Sequence, residues 1–237
     1  MECRACGYLN PLHLSVCENC GAIIRNRVAN IDFGNTLLDI MHRPGYAFTN
    51  ILFSEKKNLS FFLFFVSSFK ILVINYILLA FLYHTGFGLW SGIVLNFSIV
   101  LLIVLLLTFL LQRGYSIRKV KVRQREIFAA YSFSTIPSII FLIVFLPLEL
   151  VVFGEFLFVF DPSPFLIDPV FAYLFLALEI LFLLWQAVLF SIALNIIRPG
   201  LIKNIIISLI MNIAVYAVSF ILFSYAVEIN RRILLGN

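Results

Sequence analysis

Five stretches of this chain stay apolar long enough to cross a bilayer: residues 60–83, 89–111, 127–150, 170–197 and 204–227. A spanning helix needs about 20 predominantly apolar residues, and it satisfies its own backbone amides where no water can. The pattern predicts an all-α polytopic membrane protein built on a five-helix transmembrane bundle. The third stretch is irregular. Pro137 should kink it by freeing a carbonyl one turn back. Beyond Pro147 the apolar run continues over 148–160, broken by Gly154 and two acids, and reads as a separate re-entrant or interfacial segment. Asp161-Pro162-Ser163-Pro164 then forces a turn.

Ahead of the first span the pattern shortens. Residues 22–33 read as a linker with a short strand. Asn35 or Thr36 can cap a short helix that sets Leu37, Leu38, Ile40 and Met41 on one side. Pro44 suits the first position of a second helix, in which Ala47, Phe48, Ile51 and Leu52 share a face. Such a stripe fits a helix lying in the headgroup plane, or one packed on the cytoplasmic ends of the spans. Lys56-Lys57 marks the membrane boundary.

Composition agrees: 62% of residues are hydrophobic and 12% charged, against about 25% charged in a soluble domain. Most of the formal net charge of +5 comes from one stretch, residues 112–126. It carries Arg113, Arg118, Lys119, Lys121, Arg123 and Arg125 against Glu126. So local an excess points to topology and to anionic headgroups, where each basic residue gains about 1 kcal/mol, rather than to a nucleic-acid partner.

Lys and Arg in short loops stay cytoplasmic. Residues 84–88 hold neither, the third loop holds Glu149, Glu155, Asp161 and Asp168, and the fourth holds Arg198 and Lys203. The amino terminus is expected in the cytoplasm and the carboxyl terminus outside, with Arg231-Arg232 the one conflict. The opening residues are polar and cysteine-bearing, so no cleavable signal peptide is expected.

The chain's four cysteines, Cys3, Cys6, Cys17 and Cys20, form two C-x2-C pairs, each followed by glycine. Two such turns on facing hairpin strands make a tetrahedral four-thiolate site, and glycine lets the backbone fold round the sulfurs. Disulfides need an oxidising compartment, which a cytoplasmic end lacks. Iron has compatible ligands, but zinc is the expected ion, with His13 left as a surface residue. Four protein ligands leave no open position for substrate, so the zinc is structural and holds a segment too small to bury a core.

Lys70 stands about ten residues into the first span and Glu179 about ten into the fourth, which runs the other way. Both land near mid-membrane, where an isolated charge costs at least about 2.5–3.5 kcal/mol. Matched depth and opposite sign predict an interhelical pair, either a clamp or an ion relay. Asn75, Asn96, Gln186, Asn195 and Asn212 can bond between helices. There is no phosphate loop, nucleophile elbow or paired-carboxylate motif. Among the outer acids, Asp161-Pro162 and Asp168-Pro169 look like turn formers, and an enzyme is not expected.

Two short motifs, Arg43-Pro44-Gly45-Tyr46-Ala47-Phe48 and Tyr131-Ser132-Phe133-Ser134-Thr135-Ile136-Pro137, together with the five-span layout, resemble the Yip (Ypt-interacting protein) family of membrane proteins. The resemblance covers about residues 38–227. A ribbon fused ahead of such a domain looks prokaryotic, hence a plasma-membrane location. The resemblance implies an integral-membrane scaffold or adaptor. Eukaryotic members bind prenylated Rab-type GTPases, but their acidic Asp-Leu-Tyr-Gly-Pro element is missing here, and GTPase binding is not carried over.

The expected organisation is a zinc ribbon over 1–24, a linker with amphipathic interfacial helices over 25–58, a Yip-like domain over 59–230 and a tail over 231–237. The expected function is a non-enzymatic scaffold in membrane organisation or trafficking. Its partners are the bilayer and a cytoplasmic protein, and self-association is left open. The alternative is a small transporter or channel using Lys70 and Glu179.

Overall fold

The computed structural model describes residues 2–3, 6–11, 14, 16–22, 31–54, 56–57, 59–83, 89–117, 122–159 and 162–235. Their helices are α1 (Phe33–His42), α2 (Pro44–Phe53), α3 (Ser60–Tyr83), α4 (Leu89–Ile117), α5 (Gln124–Ser134), α6 (Ile136–Phe153), α7 (Phe156–Val159), α8 (Pro164–Ile167), α9 (Pro169–Ile197) and α10 (Leu201–Leu235). Helices α3, α4, α5 with α6, α9 and α10 supply five segments long and apolar enough to span a membrane. The fold is all-α and polytopic, preceded by a small cysteine-bearing head. Many side chains on the spans remain exposed and apolar, among them Leu102, Ile143, Leu181 and Ile213, as a lipid-facing surface requires.

The expected turn chemistry is partly redistributed. Asp32, not Asn35 or Thr36, caps α1: its carboxylate accepts the Gly34 and Asn35 N–H groups at 3.1 and 3.4 Å. Pro44 opens α2, where its missing N–H costs nothing. Asp168 caps α9 by accepting from the Val170 and Phe171 amides.

Pro137 falls in the first turn of α6, just after the break at Thr135. The interruption thus lies at the helix start, where proline is tolerated. Pro147 does not end the helix, contrary to the sequence expectation. Helix α6 runs on to Phe153 and stops at Gly154, whose φ of 56° favours glycine. Glu149 therefore sits inside a span rather than in an outer loop. Residues 112–117 of the basic stretch belong to α4, and residues 231–235 of the expected tail belong to α10.

The chain divides into two compact units, each made of separate stretches. One comprises Met1–Leu63, Leu105–Ser134 and Ala187–Ser208. Here α2 packs against α5, with Ala47, Phe48, Ile51 and Leu52 almost fully buried. That face is occupied by protein, while α1 leaves Leu38 and Met41 outward. Tyr131 meets Phe190 edge to face at 5.4 Å between centroids. The Ser208 hydroxyl donates to the Ala187 carbonyl at 2.6 Å, a close crossing of α9 and α10.

The other unit comprises Phe64–Val104, Thr135–Gln186 and Leu209–Asn237. One cluster joins Leu72 and Leu79 of α3 to Phe223 and Val227 of α10. A second joins Phe153 and Leu157 to Ala172 and Phe175. Polar links also cross helices: Asn75 donates to Asn96 at 2.9 Å, Asn96 to the Ser68 carbonyl at 2.9 Å, and Gln186 to Asn212 at 2.6 Å, while Ser138 donates to Gln186 at 2.5 Å. Each buried amide thereby meets a partner that lipid could not provide.

Candidate functional site

Two places concentrate chemistry: the head and the interior of the second unit. In the head, the same turn occurs twice. The Gly7 N–H donates to the Cys3 carbonyl at 2.8 Å, and the Gly21 N–H to the Cys17 carbonyl at 3.0 Å. Both glycines have φ of 70°, the left-handed conformation that swings the chain round the preceding sulfur. An isolated antiparallel bridge, Glu2 to Leu9, replaces the expected strands of the first hairpin.

The four Sγ atoms lie within 4.8 Å of one another. Cys3 and Cys20 approach to 3.7 Å and Cys6 and Cys17 to 3.6 Å, so each close pair joins the two turns. Thiolates bound about 2.3 Å from a tetrahedral ion lie about 3.8 Å apart. The sulfur set fits one metal ion, and all four cysteines are free thiols. His13 lies outside the described residues.

Asn10, a residue that sequence reasoning passed over, completes this site. It is buried, its side-chain amide donates to Cys17 Sγ at 3.3 Å and to the Tyr8 carbonyl at 2.9 Å, and its Oδ1 accepts the Glu18 N–H at 2.9 Å. It thus ties one turn to the other. Burial opposes ionisation of Cys17, but donors from the Cys20 and Asn19 backbone, the Asn10 amide and the Cys6 thiol outweigh it and bring the thiol down to about 6. Cys20 also receives a favourable backbone bond at Ala22, yet its crowding against Cys6, burial and the other two thiols push it up to about 12. Such an array holds its first negative charge readily and needs a cation to hold the rest.

In the second unit, Lys70 Nζ stands 2.9 Å from Glu179 Oε1, with side-chain exposures of 2% and 19%. The ammonium also lies 4.5 Å from the centre of the Phe141 ring. Both charged groups line a cavity of about 440 Å³, which Glu149 lines as well. Glu149 is close enough to interact electrostatically with Lys70 and Glu179. The pattern that would have revealed it was available: Glu149 follows Pro147 in an apolar run, and a tolerated proline would have kept it in the span.

The basic stretch is divided. Arg113 is exposed on α4 and lies 5.1 Å from the Phe109 ring centre. Arg123 and Arg125 are exposed at the start of α5, where the Glu126 carboxylate accepts the Arg123 N–H at 3.0 Å as a capping box would. Arg118, Lys119 and Lys121 lie outside the described residues. Comparison with known families, curated proteins and solved structures finds no match.

Proposed function

We propose that this protein is a non-enzymatic integral-membrane scaffold, akin to Yip-type proteins, whose zinc-stapled head recruits a protein partner in the cytoplasm. The observation that carries the reading is the four-thiolate cluster. It closes the metal's coordination sphere, leaving structure rather than Lewis-acid chemistry as its role. The head cannot supply a core of its own, and it leaves Tyr8, Leu9 and Val16 exposed as apolar docking points. Zinc is favoured because a closed tetrahedral set of four thiolates is one of its standard structural sites. The distribution of Lys and Arg supports a cytoplasmic head, an outside carboxyl end and a basic stretch resting on anionic lipid. A prokaryotic plasma membrane is the location this implies.

Crosslinking to neighbours in native membranes tests recruitment. The full-length chain should capture a discrete cytoplasmic protein, and Cys17→Ser and Leu9→Glu should each abolish capture while leaving membrane insertion intact. Capture unchanged in both variants ends the reading.

One observation favours a second reading, a small transporter. Lys70 and Glu179 line a cavity within the second unit. Solute flux in proteoliposomes that disappears with Glu179→Gln would support it over a purely structural pair.

A further inference from the structure

The cavity has an unbalanced charge inventory. Its walls come from α3, α6, α7, α8 and α9 and are apolar and aromatic apart from Ser163 and three charged side chains. Lys70 and Glu179 form one ion pair, which is neutral as a unit. Glu149 adds a second carboxylate. It is nine-tenths buried, and no hydrogen bond or ion pair reaches it among the described residues. With both carboxylates ionised, two of them against one ammonium leave a single negative charge facing an apolar space. A lone carboxylate in such surroundings is driven to its neutral form, whereas a cation placed beside it holds it ionised.

The remaining walls select the rest of the ligand. Phe153, Phe165 and Phe175 line it with aromatic rings, whose faces attract cations and which pack against hydrocarbon. The volume of about 440 Å³ lies in the range of small-molecule sites. We propose that this cavity binds a hydrophobic monocation, with its charged head beside Glu149 and its apolar body against Phe153 and Phe175. An anion of the same shape would meet two carboxylates, and a neutral lipid chain would leave Glu149 uncompensated. This proposal uses the same cavity as the transport reading, but it requires occupancy and not translocation.

Equilibrium binding of radiolabelled tetraphenylphosphonium to the full-length chain in phosphatidylcholine nanodiscs tests it, with empty nanodiscs correcting for partition into lipid. Saturable binding of one cation per chain is expected, with the isosteric tetraphenylborate anion at least tenfold weaker. Glu149→Gln and Glu179→Gln should each weaken cation binding at least tenfold, because either removes the surplus negative charge. Lys70→Gln should preserve or strengthen it. Glu149→Asp, which keeps the charge, guards against a variant that simply misfolds, and should bind within a few-fold of the wild type. Equal binding of anion and cation, or of Glu149→Gln and wild type, overturns the proposal. So does a co-purified neutral lipid that the cation cannot displace. Binding without flux in proteoliposomes would remove the transport reading alone, and flux without charge-selective binding would remove this one alone.

Discussion

Lys70 and Glu179, from helices far apart in the chain, meet at 2.9 Å inside the protein. Removing one partner of a buried pair strands the other charge, at a cost of about 3–5 kcal/mol. Lys70→Met and Glu179→Leu should each lower thermal stability in detergent clearly. The double variant should recover most of the loss, because two apolar side chains of similar volume leave neither charge unpaired. Additive losses in this double-mutant cycle would show that the residues act independently.

Asn10 should tune the metal site without being a ligand. Groups that bond to ligand atoms typically carry a 10–100-fold effect on metal affinity. Asn10→Ala should weaken zinc binding by about that factor in competition with a calibrated chelator, while Cys17→Ser abolishes tight binding. Lowering the pH should weaken binding in the wild type, since protons compete for the same sulfurs. With Cys17 brought down to about 6 and Cys20 pushed up to about 12, Cys20 must surrender its proton to the ion near neutral pH, while Cys17 is already largely thiolate.

Chelation should leave the spans folded. A metal on the four thiolates would organise the head alone, whereas the long helices are held by their own backbone bonds and by packing. Far-ultraviolet circular dichroism should change little on metal removal. Protease sensitivity should appear within residues 1–22, and a cooperative loss of helix would contradict this separation.

Lys57 closes the end of α2. Its ammonium donates to the carbonyls of Ile51, Leu52 and Ser54 at 2.5, 2.7 and 3.0 Å. These are the orphan acceptors of a helix terminus, where a cation also complements the dipole. Lys57→Ala should cost about 1–2 kcal/mol and raise hydrogen exchange in the last turn of α2. Lys57→Glu should be worse than alanine, because it adds the wrong charge.

Gly92 gives Tyr76 room. A Cβ at position 92 would collide with the Tyr76 hydroxyl. Gly92→Ala should destabilise by about 1–3 kcal/mol, as overpacking does. Tyr76→Phe removes the colliding oxygen and should rescue part of that loss. A thermal-shift series on the two single variants and the double variant measures the rescue.

Several features were readable from residue order because each rests on local chemistry. A run of some twenty apolar residues has few ways to satisfy its amides in lipid, so α3 and α9 end within a residue of where hydropathy alone puts them. Ala47, Phe48, Ile51 and Leu52 recur with the helical period, and that period was enough to put them on one buried face. The spacing of Cys3, Cys6, Cys17 and Cys20 likewise implied their cluster, since two short turns ending in glycine bring sulfurs together with little help from the rest of the chain. Depth along the spans made Lys70 and Glu179 candidates for each other.

Other features depended on which surfaces packed together. Glu149 looked like a loop acid because proline usually ends a helix. Only the continuation of α6 through Pro147 to Gly154 made it a wall of the cavity. Asn10 showed no sign of its role, because contact with Cys17 arises from the fold of the head and not from a spacing. Hydropathy could establish what must lie in lipid, since transfer free energy belongs to each residue by itself. Which charge faces which, and what space is left between them, belongs to pairs distant in the chain, and tertiary packing alone sets it.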